Sequence, residues 1–72
     1  MTIIHSDRQS VTNYDNVKRL YLSDRFIHAD YMDGTSKIVG MYDTKERAEE
    51  VFETLLEFFH YYEAHVFYLP ER

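Results

Sequence analysis

The chain contains no cysteine, one proline and only two glycines. Each scarcity excludes something. Without cysteine there can be no disulfide, no thiolate metal site and no thiol nucleophile. The same absence fits a reducing compartment, so a cytoplasmic setting is expected. Gly34 and Gly40 alone cannot build a glycine-rich phosphate loop. Few prolines and glycines beside many large apolar residues argue against a disordered chain. No apolar run is long enough to span a membrane. The opening MTIIHSDRQS has no basic leader followed by an apolar run, so no signal peptide is expected.

Positive charge is also scarce, and only locally. Residues 1–42 hold five acidic and five basic side chains. Residues 43–63 hold seven acidic side chains against two basic ones, Lys45 and Arg47, and the tail is neutral. The whole net charge of −5 therefore belongs to one segment. Binding directly to a phosphate backbone needs the opposite sign, so no direct nucleic-acid binding is expected.

What the chain has in excess is aromatic rings. Its 72 residues include seven tyrosines and five phenylalanines, and one buried ring removes about 150–250 Å² from water. A single domain this small buries only about 60% of its unfolded surface. Dense aromatic packing or a second copy of the chain must supply the rest.

Residues 1–42 read as a β meander. TIIHS is a β-prone start, and Asn13, Asp15 and Asn16 favour a bend. In VKRLYLSD, Leu20 and Leu22 alternate with Arg19 and Tyr21. In RFIHADYM, Ile27, Ala29 and Tyr31 alternate with Phe26, His28 and Asp30, the period of a strand. SDR is a tight connection between the two. Asp33-Gly34 is a hairpin signal of the type with positive φ at both turn positions. Gly40 within SKIVGMY predicts a bulge or a close approach of other backbone.

Residues 43–66 read as one amphipathic helix, capped by Asp43 or Thr44. Asp43 and Glu46 have capping-box spacing. Ala48, Val51, Phe52, Leu55, Phe59, Tyr62 and Val66 form one stripe, with Leu56 at its edge. Residues 67–72 are a tail in which HVFYL is either a frayed turn or a short extended segment. The fold class is α+β: a small antiparallel sheet of three or four strands with one long C-terminal helix across it, in a single domain.

YMDGTSKIVGMYDTKERAEEVFETL resembles a group of short, functionally unassigned proteins encoded by phages and prophages of Gram-positive bacteria. In that group a polar hairpin leads to a strand ending in Gly-x-Tyr, followed by a Thr-x-Glu-x-Ala helix start. The matching residues are Gly40, Tyr42, Thr44, Glu46 and Ala48, and NYDNVKRLYL resembles the upstream strand. The likeness covers residues 13–56. It implies a strand meander followed by a helix, and a phage origin. It carries over no catalytic residue.

Two surfaces are candidates for meeting a partner. Glu46, Glu49, Glu50, Glu53 and Glu57 share the helix face opposite the apolar stripe. They include three like-charge i,i+4 pairs, each unfavourable by about 0.2–0.5 kcal/mol. An ordinary solvated face accounts for them, and so does a docking surface for a basic protein partner. Phe58, Tyr61, Phe67 and Tyr68 are the rings left over after the stripe is filled. They either cover the open end of the sheet or form an interface, for which a homodimer is the simplest case.

Metal and catalytic sites are not expected. Glu57 and His60 have Glu-x-x-His spacing, but sites of that kind draw ligands from four helices. His60 and His65 do not share a helix face, and His28 reads as a half-exposed strand residue. Ser6, Ser10, Ser23 and Ser36 sit in turn-like contexts without a nucleophile elbow. The expectation is a non-enzymatic, cofactor-free protein-interaction module of phage type. It would act as a stoichiometric inhibitor of a host or defence protein, through the acidic face and the C-terminal aromatics. The alternative is an accessory subunit whose helix and tail serve only self-assembly.

Overall fold

The computed structural model describes residues 1–61 and 66–72, the Tyr61 side chain excepted. Its strands are β1 (Thr2–Ile4), β2 (Val11–Asn13), β3 (Val17–Ser23), β4 (Phe26–Tyr31), β5 (Ser36–Met41) and β6 (Val66–Tyr68), with one α-helix, α1 (Lys45–Tyr61), between β5 and β6. A 3-10 turn at Tyr14–Asn16 separates β2 from β3.

The α+β class is as expected, but the strands form two three-stranded sheets instead of one. One sheet has the order β3-β4-β5 and is antiparallel throughout. The other has the order β2-β1-β6, with β1 antiparallel to β2 and parallel to β6. The tail is thus a strand. Val66, Phe67 and Tyr68 are β-branched or aromatic, types that suit a pleated half-buried surface, and the described helix, Lys45–Tyr61, does not include them. Placing Val66 in the helical stripe was therefore wrong, and Tyr62 lies outside the described residues. The sheets meet where the Ser6 N–H donates to the Val39 carbonyl and the Met41 N–H donates to Ser6 Oγ.

The β3–β4–β5 meander follows the alternation in the sequence. Leu20 faces Ala29 and Leu22 faces Ile27 across the inner surface. The β3–β4 loop has two residues, with Asp24 in the left-handed region at φ 55°. The β4–β5 hairpin differs from the expected turn. Gly34 N–H donates to the Tyr31 carbonyl and Tyr31 N–H to the Thr35 carbonyl, and only Gly34 has positive φ. This is a three-residue loop with its left-handed residue last. Asp33 instead accepts from the Thr35 backbone and hydroxyl, which holds its carboxyl below the usual carboxylate range.

Gly40 sits at a bulge, as expected, whereas the close approach there is by side chains and not by other backbone. The register shift opposite Ile27 makes Val39 the extra residue of a bulge. A Cβ on Gly40 would also stand 3.1 Å from the Tyr42 ring and 3.4 Å from Ile27 Cδ1. Tyr42 itself is buried, and its hydroxyl donates to the Pro70 carbonyl at 2.9 Å. Burial pushes its pKa up to about 12.

Thr44 caps the helix: its hydroxyl accepts from Arg47 N–H, and its carbonyl accepts from Ala48 N–H. Arg47 occupies the third helical position, so no carboxylate completes a capping box there. The helix lies across β3 and β4. Ala48, Val51 and Leu55 join Ile3, Ile27, Ala29, Val39, Tyr42, Phe67 and Leu69 in one core, with Phe52, Phe58 and Phe59 packed at its margin. Leu56 is on the solvent side, 48% exposed.

Candidate binding surfaces

The acidic residues lie as the periodicity placed them. Glu46, Glu49, Glu50, Glu53 and Glu57 are all exposed. Among the described residues the face holds one ion pair, Arg47–Glu50, at 3.9 Å. A surface pair of that length contributes little. The stripe is therefore a row of carboxylates bordered by the half-exposed Leu56.

The four leftover rings divide. Phe67 is 9% exposed and belongs to the core. Phe58 packs edge-to-face on it, with ring centroids 4.7 Å apart. Both cover the protein's own sheet, the first of the two alternatives for them: β6 turns Phe67 inward beside Ile3, and Phe58 follows it. Tyr68, next along the strand, points outward and is 63% exposed, with the Arg8 guanidinium 5.5 Å from its ring centroid. The Tyr61 side chain lies outside the described residues. Phe59, a core-stripe residue, stacks on Tyr14 at 4.6 Å.

Tyr68 belongs to a surface that sequence reasoning missed. On the outer face of the β2-β1-β6 sheet, Val11, Ile4 and Tyr68 stand in one row and Asn13, Thr2 and Val66 in the next. Val11 is 63% exposed and Val66 42%. The inner row of the same strands, Thr12, Ile3 and Phe67, is buried. Strands of three residues, with polar Thr12 on the inner face and Val11 and Tyr68 on the outer, give no alternation to read.

The outer face of the other sheet carries a ladder of rings and guanidinium groups. Arg19 lies 4.3 Å from the Tyr21 ring centroid, Tyr21 stacks on His28 at 4.8 Å, Phe26 meets His28 edge-on at 6.2 Å, and Arg25 lies 4.8 Å from Phe26. Arg19 also pairs with Asp30 at 3.0 Å, and Ser36 donates to that carboxylate. The Ser36 hydrogen bond, then Arg19, hold the Asp30 carboxyl low. The signal was present in the sequence, because a two-residue loop after Ser23 puts Tyr21 opposite His28 and Arg19 opposite Asp30. Both faces of Tyr21 are occupied within the protein, so its ring offers no flat surface to a base.

Between the two sheets runs a polar groove. Its floor holds a chain of three side chains: His5 Nε2 bonds Thr12 Oγ1, and Thr12 Oγ1 bonds the Tyr31 hydroxyl at 2.6 Å. His5 and Thr12 are buried. The threonine has one proton, so it donates to at most one of its two neighbours. Burial lowers the His5 pKa, Lys37 lowers it further and Asp7 opposes both. Two hollows of about 490 and 420 Å³ flank this chain and meet at Lys37. The residues are 7 and 19 positions apart, and no local pattern connects them.

Among the described residues no three His, Asp or Glu side chains come together as a metal site, and no helix is long and apolar enough to cross a membrane. His65 lies outside the described residues. The molecule is thus an α+β protein of two small sheets and one helix, with several open surfaces. Comparison with protein-family models, with characterised proteins and with solved structures finds no match to this chain.

Proposed function

We propose that the protein is a non-enzymatic interaction module that binds a basic surface on another protein in a one-to-one complex. One observation carries this reading: the helix face presents Glu46, Glu49, Glu53 and Glu57 without a cation partner among the described residues, beside the half-exposed Leu56. Carboxylates around an apolar anchor suit a partner with Lys or Arg around an apolar pocket. In a phage setting such a partner is a host or defence protein, and occupying its charged surface is inhibition without chemistry.

The test uses the immobilised protein and a bacterial host lysate, with elution by increasing salt. The reading requires partners that elute with salt and are lost when Glu49, Glu53 and Glu57 are changed together to Gln. Partners retained by that triple variant would refute it.

A second reading, self-assembly, is favoured by the exposed Val11, Tyr68 and Val66, with the half-buried Ile4 between them. A two-fold pairing would bury this patch on both copies. Light scattering at micromolar concentration decides it. A dimer that Tyr68→Glu dissociates supports it, and a monomer removes it.

A further inference from the structure

We propose that the groove between β2 and β5 is a second binding site, taking an extended peptide segment that carries a carboxylate at its centre and adds to the sheet edge as a strand. It is separate from the acidic helix face and does not depend on it.

Both walls of the groove are strand edges. On β5, Tyr31 N–H donates to the Thr35 carbonyl, and the pairs Asp30–Ser36, Ala29–Lys37 and His28–Ile38 follow. Antiparallel pairs alternate between bonded and non-bonded. Lys37 therefore bonds to β4, and the peptide groups of Ser36 and Ile38 point away from it. On β2, His5 N–H donates to the Ser10 carbonyl, and the same alternation ties Thr12 to Ile3. The N–H groups of Val11 and Asn13 then point to the far side of β2. Among the described residues no strand lies beyond either edge. Unpaired edges of this kind are templates for strand addition.

The protein already makes this contact once. Ser6 bonds to β5 at Val39 and Met41, extending the sheet past its own edge. The open length from Ser36 to Ile38 continues the same edge.

The charge of the occupant follows from Lys37. It forms no ion pair among the described residues and lies where the two hollows meet, one of which Tyr31 also lines. The groove's two carboxylates are engaged by their own loops, Asp33 by Thr35 and Asp7 by the Gln9 N–H. A carboxylate at the middle of an added strand would find the Lys37 ammonium. Its flanking side chains would meet the exposed Val11 and Ile38.

The experiment is an amide NMR titration of the full chain. The probe is the blocked heptapeptide Thr-Thr-Val-Glu-Val-Thr-Thr, raised to about 5 mM because strands this short bind in the millimolar range. Shifts and slowed hydrogen exchange are expected at Val11, Asn13, Ser36 and Ile38. A lysine-centred counterpart should bind about fivefold more weakly, the scale of an exposed charge pair, and Lys37→Glu should reverse that order. Ile38→Pro removes an outward N–H, which an edge strand tolerates, together with the Ile38 side chain, and should weaken binding. Should that variant misfold, backbone N-methylation of the probe tests the complementary bonds, those that the probe donates to the edge carbonyls. The proposal is overturned by no shift at these four amides or by an N-methylated probe that binds equally. It is also overturned if the glutamate preference survives Lys37→Glu, or if edge shifts depend on protein concentration without peptide.

Discussion

Replacing Phe67 by alanine tests whether the C-terminal tail is part of the core. The ring is 9% exposed, packs against Phe58 at 4.7 Å and stands in the buried row beside Ile3. Truncating a core phenylalanine costs about 3–5 kcal/mol, and an edge-to-face pair adds about 0.5–1.5 kcal/mol beyond its area. A 72-residue domain has about 4–11 kcal/mol of total stability. Phe67→Ala should therefore remove between a third and nearly all of it. In urea, with a slope of about 1 kcal/mol per molar for a chain of this size, the midpoint should fall by about 3 M or the variant should be unfolded at the start. Tyr68→Ala, one residue on and 63% exposed, should change stability by no more than about 0.5 kcal/mol. Equal effects at the two positions, or a loss under about 1 kcal/mol for Phe67→Ala, would mean that β6 does not pack as described.

Gly40→Ala should destabilise by about 1–2 kcal/mol in the same assay. The gain from a stiffer unfolded chain, about 0.4–1 kcal/mol, is outweighed by overpacking against the Tyr42 ring, which its hydroxyl bond to Pro70 holds in place. Stability should fall in mild acid through His5. Its folded pKa lies below the ordinary histidine value of 6.5, so the unfolded chain takes up the proton first and folding weakens as pH drops below 6.5 towards the folded value. A urea midpoint that is flat or rises between pH 7 and 5 would contradict this. At the alkaline end, Tyr42 titrates at about 12 in the fold against 10.0 unperturbed. The unfolded chain loses its proton first, so stability should decline as pH rises from 10 towards 12. Tyrosinate absorbance should show one late-titrating ring that Tyr42→Phe removes.

The meander and the helix could be read from the sequence because their signals are local. Alternation fixed the inner faces of β3 and β4, and the apolar stripe and acidic face of α1 follow from period 3.6. The hairpin at Asp33-Gly34 was legible, but its turn type depends on Thr35 capturing the Asp33 carboxylate. The second sheet was hidden for a different reason. Val66 continues the spacing of Phe59 and Tyr62 as readily as it opens a strand, and its partner is Thr2, at the other end of the chain. The groove depends on that same arrangement. His5, Thr12, Tyr31 and Lys37 are ordinary residues until two hairpins bring them together.

The parallel pairing of β1 with β6 has a consequence for how the chain folds. A β1–β2 hairpin of three-residue strands is too small to persist alone in water. Its buried row needs Phe67 beside Ile3, a contact spanning almost the whole chain. Closing so long a loop is entropically slow, and it slows folding more than it weakens the finished structure. During synthesis β3, β4, β5 and the helix can gather first. The β1–β2 hairpin, and the groove that it walls, must wait until residues 66–68 have left the ribosome. The groove thus takes shape only once β6 is available to β1.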